Sequence, residues 1–465
     1  MLNLSSWRAT LRYLLRKKIR QTTRLSRKTL ELICLLIGSA LVSFFSLGFA
    51  KLADWGLEYN AYWNQQHPLA VWWVLPFGLA LLAWFTAKYT PYVSGSGIPQ
   101  VIASMELPYG ANKNRLIRFG QTLWKIPLTF LAMIIGASVG REGPSVQVGA
   151  AVMLAWGNFC CRHNLGFKGL TANQFIAAGA GGGLAAAFNA PLAGVIFTIE
   201  ELGRGITLRW ERRILFGVLA SGFILVAMMG NNPYFPQYEG AYSAQNIIAW
   251  LALCGVLCGV AGGIFARLLA KGVANFSPNF VRGWIRRHPV SVAFILGIVL
   301  TILGKFSHGQ TYGTGYDVVS HALDGINLQP DDLGIAKLFA TVATYWSGIA
   351  GGIFTPSLTI GAGLGSQLAH IASFNGSFID SRLVVLICMA AFLAGATQSP
   401  VTASVVVMEM TGSQPVLIWL LIASIIASVI SRQFNPKPFY HLGAGRFRQR
   451  VQEQTKQELS ENTTL

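Results

Sequence analysis

Two parts of this chain can be laid on each other. Gly140-Arg141-Glu142-Gly143-Pro144, with the run on to Gly149, matches Gly352-Ile353-Phe354-Thr355-Pro356 and the run on to Gly361, shifted by 212 positions. Asn189-Ala190-Pro191 through Glu200 matches Gln398-Ser399-Pro400 through Glu409, shifted by 209, and Gly95-Ser96-Gly97-Ile98 answers more weakly to Gly313-Thr314-Gly315-Tyr316. Three motifs in one order at a nearly constant offset mark a duplication in which residues 31–230 return as 246–432. Any fold for this chain has to build one unit twice.

Lipid is the solvent for both units. Of 465 residues, 53% are hydrophobic and only 12% charged, which cannot clothe a soluble surface. The 50 glycines sit inside apolar segments, where small residues let helices approach closely. Spanning segments are expected at about 31–50, 69–87, 120–139, 212–230, 246–270 and 289–304, each near the ~20 residues a crossing needs. Shorter, Gly- or Pro-interrupted pieces at 145–160, 176–188, 190–202, 356–373 and 382–411 predict re-entrant or broken helices. The expected fold is an all-α polytopic membrane protein.

Loop charge predicts sidedness. The first thirty residues hold nine Lys or Arg, among them Arg16, Lys17, Lys18 and Arg20, and no acid precedes Glu31. That basic stretch reads as a cytoplasmic tail and not as a nucleic-acid binder or a cleaved signal. Loops with Lys113, Arg115 and Arg118, with Arg204, Arg209, Arg212 and Arg213, and with Arg282, Arg286 and Arg287 should also face inward. The stretches 55–68, 231–245 and 310–333 carry no Lys or Arg, and the last holds Asp317, Asp324, Asp331 and Asp332. Copy one then starts after an inward tail and copy two after the outward linker 231–245, so the copies run oppositely through the membrane. The segment 433–465 ends as a cytoplasmic tail, which puts both termini inside.

The motifs place Gly- and Pro-rich turns before apolar helices, at Ser96, at Glu142 and at Phe354. A helix opening leaves N–H groups unpaired and carries partial positive charge. Several openings meeting at mid-membrane would hold a monovalent anion such as chloride without a lysine, which would bind too tightly for release.

Acids at membrane depth are expensive and are functional candidates. Glu200 and Glu409 correspond across the duplication, which points to helix capping or contact. Glu142 faces Phe354 in the alignment and Glu201 faces Met410, so those two break the symmetry and are the functional candidates. A carboxylate at position 142 could occupy the anion site and leave it when protonated. Glu201, just before a four-arginine loop, could pass protons to the cytoplasm.

Enzyme activity is not expected. Gly136-Ala137-Ser138-Val139-Gly140 matches a nucleophile elbow only in letters, because it sits in an apolar helix with no histidine nearby. Ser96 between two glycines likewise lacks a base. The six cysteines form no CxxC pair and read as packing residues; no metal and no cofactor is expected.

At these motifs the sequence resembles the CLC family of chloride channels and proton-coupled chloride transporters, over about 31–440. Gly95-Ser96-Gly97-Ile98-Pro99, Gly140-Arg141-Glu142-Gly143-Pro144 and Gly351-Gly352-Ile353-Phe354-Thr355-Pro356 look like its three anion-site motifs. The resemblance implies hydroxyl ligands from Ser96 and Tyr440, backbone N–H ligands from Ile353 and Phe354, a gating, proton-carrying Glu142 and an inner proton glutamate at Glu201. It also implies a homodimer with one pore per subunit, in a bacterial inner membrane, exchanging chloride for protons. A passive chloride channel of the same fold is the alternative, disfavoured by the carboxylate at 201. A sodium-coupled symporter or a scaffold would leave the paired helix openings and buried acids unexplained. Gln100 stands where Glu is common and Ala350 where Pro is common. The tail after Tyr440 is too short for paired regulatory domains.

Overall fold

The structure, a computed structural model, describes residues 4–108, 115–163, 165, 170–204, 212–238, 240, 244–326, 328, 332–374 and 380–463. Lys113, Arg209 and Asp331, used above to orient the loops, lie outside them. The first repeat holds α1 (Leu4–Gln66), α2 (Val71–Tyr89), α3 (Ile98–Glu106), α4 (Phe119–Thr122), α5 (Lys125–Ile134), α6 (Glu142–Arg162), α7 (Ala172–Phe188), α8 (Pro191–Phe197) and α9 (Arg212–Met229). The second holds α10 (Ala244–Lys271), α11 (Val273–Phe276), α12 (Asn279–Arg287), α13 (Pro289–Phe306), α14 (Tyr316–Leu323), α15 (Leu333–Trp346), α16 (Phe354–Phe374), α17 (Ser381–Thr397), α18 (Pro400–Met410) and α19 (Leu417–Phe434), and α20 (Phe439–Thr463) closes the chain.

The duplication holds at the level of helix ends. Helices α6 and α16 are each 21 residues long, and α7 and α17 are each 17. The C-caps of the second pair, Asn189 at φ 54° and Gln398 at φ 59°, share the left-handed conformation that turns the chain toward the Pro-led helices α8 and α18. Close helix crossing explains a glycine in each copy. A Cβ on Gly149 would lie 2.3 Å from the Gly179 carbonyl oxygen, and one on Gly361 would lie 2.6 Å from that of Cys388. Backbones touch there, as small residues in lipid allow.

Contacts between the copies are reciprocal. Gly140 N–H donates to the Gly352 carbonyl at 2.8 Å and Gly352 N–H donates back to Gly140 at 2.7 Å, in an antiparallel bridge between two copies of one motif. Glu409 accepts from Leu192 N–H (3.1 Å) and Ala193 N–H (2.6 Å) at the start of α8. Glu200 accepts from Val401 N–H (3.3 Å) and Thr402 N–H (2.6 Å) at the start of α18. Contacts of i with j matched by j with i are what a two-fold axis produces. The repeats are inverted about such an axis, and the symmetric glutamates are caps.

Six described helices are long and apolar enough to cross a bilayer: Thr29–Gln66, Val71–Tyr89, Arg212–Met229, Ile247–Lys271, Pro289–Phe306 and Gln414–Phe434. Several expectations change. Residues 120–139 do not make one span but the short α4 and α5, with Gly136 at φ 93° ending the helical path. Ser138 therefore lies past the helix, its hydroxyl 2.9 Å from that of Thr341, and not within one. The span Gln414–Phe434 is additional, and 382–411 divides at Gln398 into α17 and α18. The boundary at residue 30 is a change of composition inside α1 and not a break in the helix.

Replacing Glu409 by Ala should remove both acceptors from the start of α8 and cost about 1–2 kcal/mol. The measurement is the thermal midpoint in detergent, with Glu200→Ala expected to match it because the caps are reciprocal. An unchanged midpoint in both would remove the capping role.

Candidate anion site

Backbone pairing brings the three motifs to one place. Besides the Gly140–Gly352 bridge, Gly95 N–H donates to Ile349 (2.8 Å) and Gly351 N–H donates to Gly95 (3.1 Å). Gly97 has φ 104°, and a Cβ there would stand 2.8 Å from the Gly143 carbonyl oxygen, so only glycine lets the first motif lie on the second. Gly143 in turn packs under Ser96, whose hydroxyl oxygen would be 2.3 Å from a Cβ on Gly143. Ile98-Pro99, Glu142 to Pro144 and Phe354 to Pro356 are the first turns of α3, α6 and α16, each with proline in that turn. Their leading N–H groups have no partner within their own helices.

A hydroxyl comes from the far end of the chain. Tyr440 is 1% exposed near the start of α20, which lies along α3 with Gly443 against Pro99. Tyr92 bonds Gln454, Glu106 pairs with Arg448 at 3.1 Å, and Arg115 pairs with Glu458 at 2.6 Å, so α20 is strapped to the α3 region along its length. The ring of Tyr440 stands 5.2 Å from that of Phe439, and Phe354 stands 5.1 Å from Phe188. The hydroxyls of Ser96, Thr355 and Tyr440 are buried and complete no hydrogen bond to protein, although Tyr440 stands beside Ser96 and Thr355 beside Glu142; the Tyr440 hydroxyl is also within electrostatic reach of Glu142 and Glu201. Buried hydroxyls are normally paired. Orphan donors around converging helix openings fit a small anion without a full charge opposite it.

The Glu142 carboxylate points into this cluster, beside the Thr355 hydroxyl and the N–H groups of Glu142 and Thr355, and it is fully buried. Its neighbour Arg141 does not fold back on it. Arg141 donates to Asp54 (2.6 Å) and to the Ala50 carbonyl (2.7 Å), and its guanidinium lies 5.6 Å from the Tyr234 ring centre. Asp54, Arg141 and Tyr234 line a cavity of about 1060 Å³ together with Tyr312, Asp317 and His321, on the face that loop charge assigns outward.

At the other end Glu201, 1% exposed, accepts from the Ser399 hydroxyl. It sits in a single π turn, Thr198–Leu202, closed by Gly203 N–H to the Thr198 carbonyl at 3.1 Å. The wider turn lets adjacent glutamates separate, Glu200 to cap α18 and Glu201 to turn inward. The structure thus gathers Ser96, Glu142, Ile353, Phe354 and Tyr440 at one cluster and sets Glu201 beyond Tyr440.

Two side chains escaped the sequence reading. Lys125 is fully buried behind the first motif and donates to the Val93 and Gly95 carbonyls, both at 2.7 Å. Lys337, 212 positions on, donates to Thr311 (2.9 Å), Tyr312 (3.3 Å) and Gly313 (2.8 Å). Their signal was the same offset that exposed the motifs. A lysine is therefore near the site, but its ammonium is spent on carbonyls. Gln100 donates to Ser94 (2.6 Å) and Tyr92 (3.2 Å), which a glutamate could not do, so this departure tightens the loop.

With the geometry in place, known proteins can be compared. The profile of the family described as Voltage gated chloride channel matches residues 77–432. The chain belongs to this family. The H(+)/Cl(-) exchange transporter ClcA of Citrobacter koseri is 27% identical over 445 residues, covering 90% of this chain and 89% of that protein. ClcA of Vibrio cholerae is 29% identical over 392 residues, covering 78% and 76%. The crystal structure of a slow cyanobacterial Cl-/H+ antiporter superposes with a TM-score of 0.75 at 26% identity, covering 90% of this chain and 97% of that one. All three motifs lie inside the voltage-gated chloride channel match.

Lys125→Met should free the Gly95 carbonyl and loosen the first motif, lowering halide affinity about tenfold, the worth of one charge-assisted bond. Titration calorimetry with chloride checks this. Lys337→Met should lower the thermal midpoint and leave halide affinity as it was.

Proposed function

We propose that this chain exchanges chloride for protons, with one pore in each subunit of a homodimer in a bacterial inner membrane and both termini in the cytoplasm. The observation that carries the reading is that two symmetry-breaking buried carboxylates, Glu142 and Glu201, both lie within electrostatic reach of the Tyr440 hydroxyl. The printed activities of the ClcA relatives and of the cyanobacterial antiporter support it.

Ser96 and Tyr440 offer O–H donors to chloride, and Ile353 and Phe354 offer N–H groups at the head of α16. These groups desolvate a monovalent ion at moderate cost and release it again. Glu142, as carboxylate, competes for the helix-opening donors. Protonated, it has no charge to hold it there and swings toward the outer cavity past the Asp54–Arg141 pair, which takes the arginine out of competition. Chloride entry and a proton bound at Glu142 are thereby linked. Glu201, held by the Ser399 hydroxyl, exchanges its proton with the inside.

The deciding experiment is reconstitution in liposomes, where an imposed chloride gradient should drive protons uphill. Chloride flux with no proton movement would leave the passive channel. In the same assay, Glu142→Gln and Glu201→Gln should each abolish proton movement and retain chloride flux, because an amide cannot carry the proton. They differ in one respect: flux through Glu201→Gln should keep its dependence on outer pH, and flux through Glu142→Gln should lose it. Retained proton pumping in either variant would strip that residue of its role.

Ser96→Pro removes a hydroxyl and a backbone N–H from the site and should move preference from chloride toward nitrate. Competition between the two anions in vesicle flux measures it, and equal selectivity in variant and parent would remove Ser96 as a ligand.

A further inference from the structure

Glu201 is buried, and a buried proton acceptor needs a supply. Its Oε2 takes the Ser399 hydroxyl, while Oε1 has no hydrogen-bond partner. Beside Oε1 stands His441, the residue after Tyr440. Its Nε2 stands 3.7 Å from Glu201 Oε1 and 3.2 Å from the Glu201 carbonyl oxygen. On the opposite side of the ring, Nδ1 lies 3.9 Å from Glu106 Oε1, and Glu106 Oε2 is 3.1 Å from Arg448.

We propose that Glu106 and His441 form the proton entrance to Glu201. Side-chain exposure rises along the row, from 1% at Glu201 to 13% at His441, 21% at Glu106 and 45% at Arg448. The row therefore leads from a dry carboxylate to water. It runs at the end of α3 and the start of α20, where the inward-assigned loops emerge, and it does not pass through the hydroxyls of Ser96 and Tyr440. Protons and chloride would share the outer half of the pore and part company below Tyr440.

The ring suits the transfer. With Nε2 carrying the hydrogen, bonded to the Glu201 carbonyl, Nδ1 offers a lone pair toward Glu106. A proton arriving from Glu106 makes the imidazolium; the Nε2 proton then passes to Glu201 Oε1, and the ring is neutral again with its hydrogen on Nδ1. Loss of the Nδ1 hydrogen to a water and return of one from that water to Nε2 restores the first tautomer. Both gaps, at 3.7 and 3.9 Å, are closed by a small side-chain rotation or one water. The charged groups facing the ring are Glu106, Glu201 and Arg204. Arg204 donates to the Gln398 carbonyl at 2.9 Å and Arg448 is held by Glu106, so neither cation lies between the ring and Glu201. A purely structural role, bracing α20 against the π turn, would need only the bond from Nε2 to the Glu201 carbonyl, which a glutamine amide can make.

That difference sets the test, which rests on the proton-exchange reading above. Full-length His441→Gln is reconstituted beside the parent, and initial proton and chloride fluxes are measured under one chloride gradient. The proton-to-chloride ratio should fall about a hundredfold, the lower end of what a positioned proton donor contributes. Imidazole added on the inner side should restore it in part, and Glu106→Gln should lower it less. If the parent moves no protons uphill, the exchange reading fails and the relay goes with it. If the parent pumps and His441→Gln keeps the parent's ratio, the relay alone is overturned. Should His441→Gln not assemble, Glu106→Gln decides the matter: an unchanged ratio overturns the relay.

Discussion

Gly140 and Gly352 exchange two backbone hydrogen bonds at the point where two copies of the same motif meet head to head. No side chain fits between them, since a Cβ on Gly352 would come within 2.9 Å of the Gly140 carbonyl oxygen. This pairing puts the openings of α6 and α16 side by side, and the Gly95 loop is sewn to the same place through Ile349 and Gly351. Irregular backbone is tolerable at membrane depth only because each of these loops satisfies the others. The convergence of N–H groups that makes an anion site is thus a by-product of how the two repeats solve their backbone accounting.

What the symmetry stabilises and what it leaves to function are separable by residue. The lysines 125 and 337, the caps Glu200 and Glu409 and the left-handed Asn189 and Gln398 all come in pairs and all act on backbone. Glu142 stands against Phe354, and Glu201 against Met410. The local cause of the second asymmetry is the π turn at Thr198–Leu202, which the second copy replaces with a continuous α18. One inserted phase shift gives the first repeat an inward carboxylate without moving the cap beside it.

Most of this was legible from residue order. The offsets of 212 and 209 carried the inverted repeat, and proline after glycine marked each helix opening. The failures have separate causes, the first of which is that hydropathy reports average polarity and not direction. Residues 120–139 read as a span because Lys125 is one charge in an apolar run, yet that charge has to meet two carbonyls and the chain breaks around it. Gln414–Phe434 was passed over because the motif before it drew the boundary. The tail and first span merged into one helix because composition changes at residue 30 without any Gly or Pro to stop the helix. Long-range partners such as Asp54 for Arg141 leave no trace in local sequence at all.

The near absence of free cations in the site follows from the same accounting. A lysine ammonium facing the Ser96 hydroxyl would bind chloride strongly and hold it; turned away, onto the Val93 and Gly95 carbonyls, it stabilises the loop that carries Ser96. The charge is then felt by the ion only through the polarised peptide groups between them. Arg141 is removed in the same way, onto Asp54 and Ala50. With both cations committed, the Glu142 carboxylate is the charge left at the helix openings, and in the proposed exchange it competes with chloride because it meets the same neutral donors. In the proposed exchange, a site built from N–H and O–H groups lets two anions of equal charge take turns, and the proton decides which of them leaves.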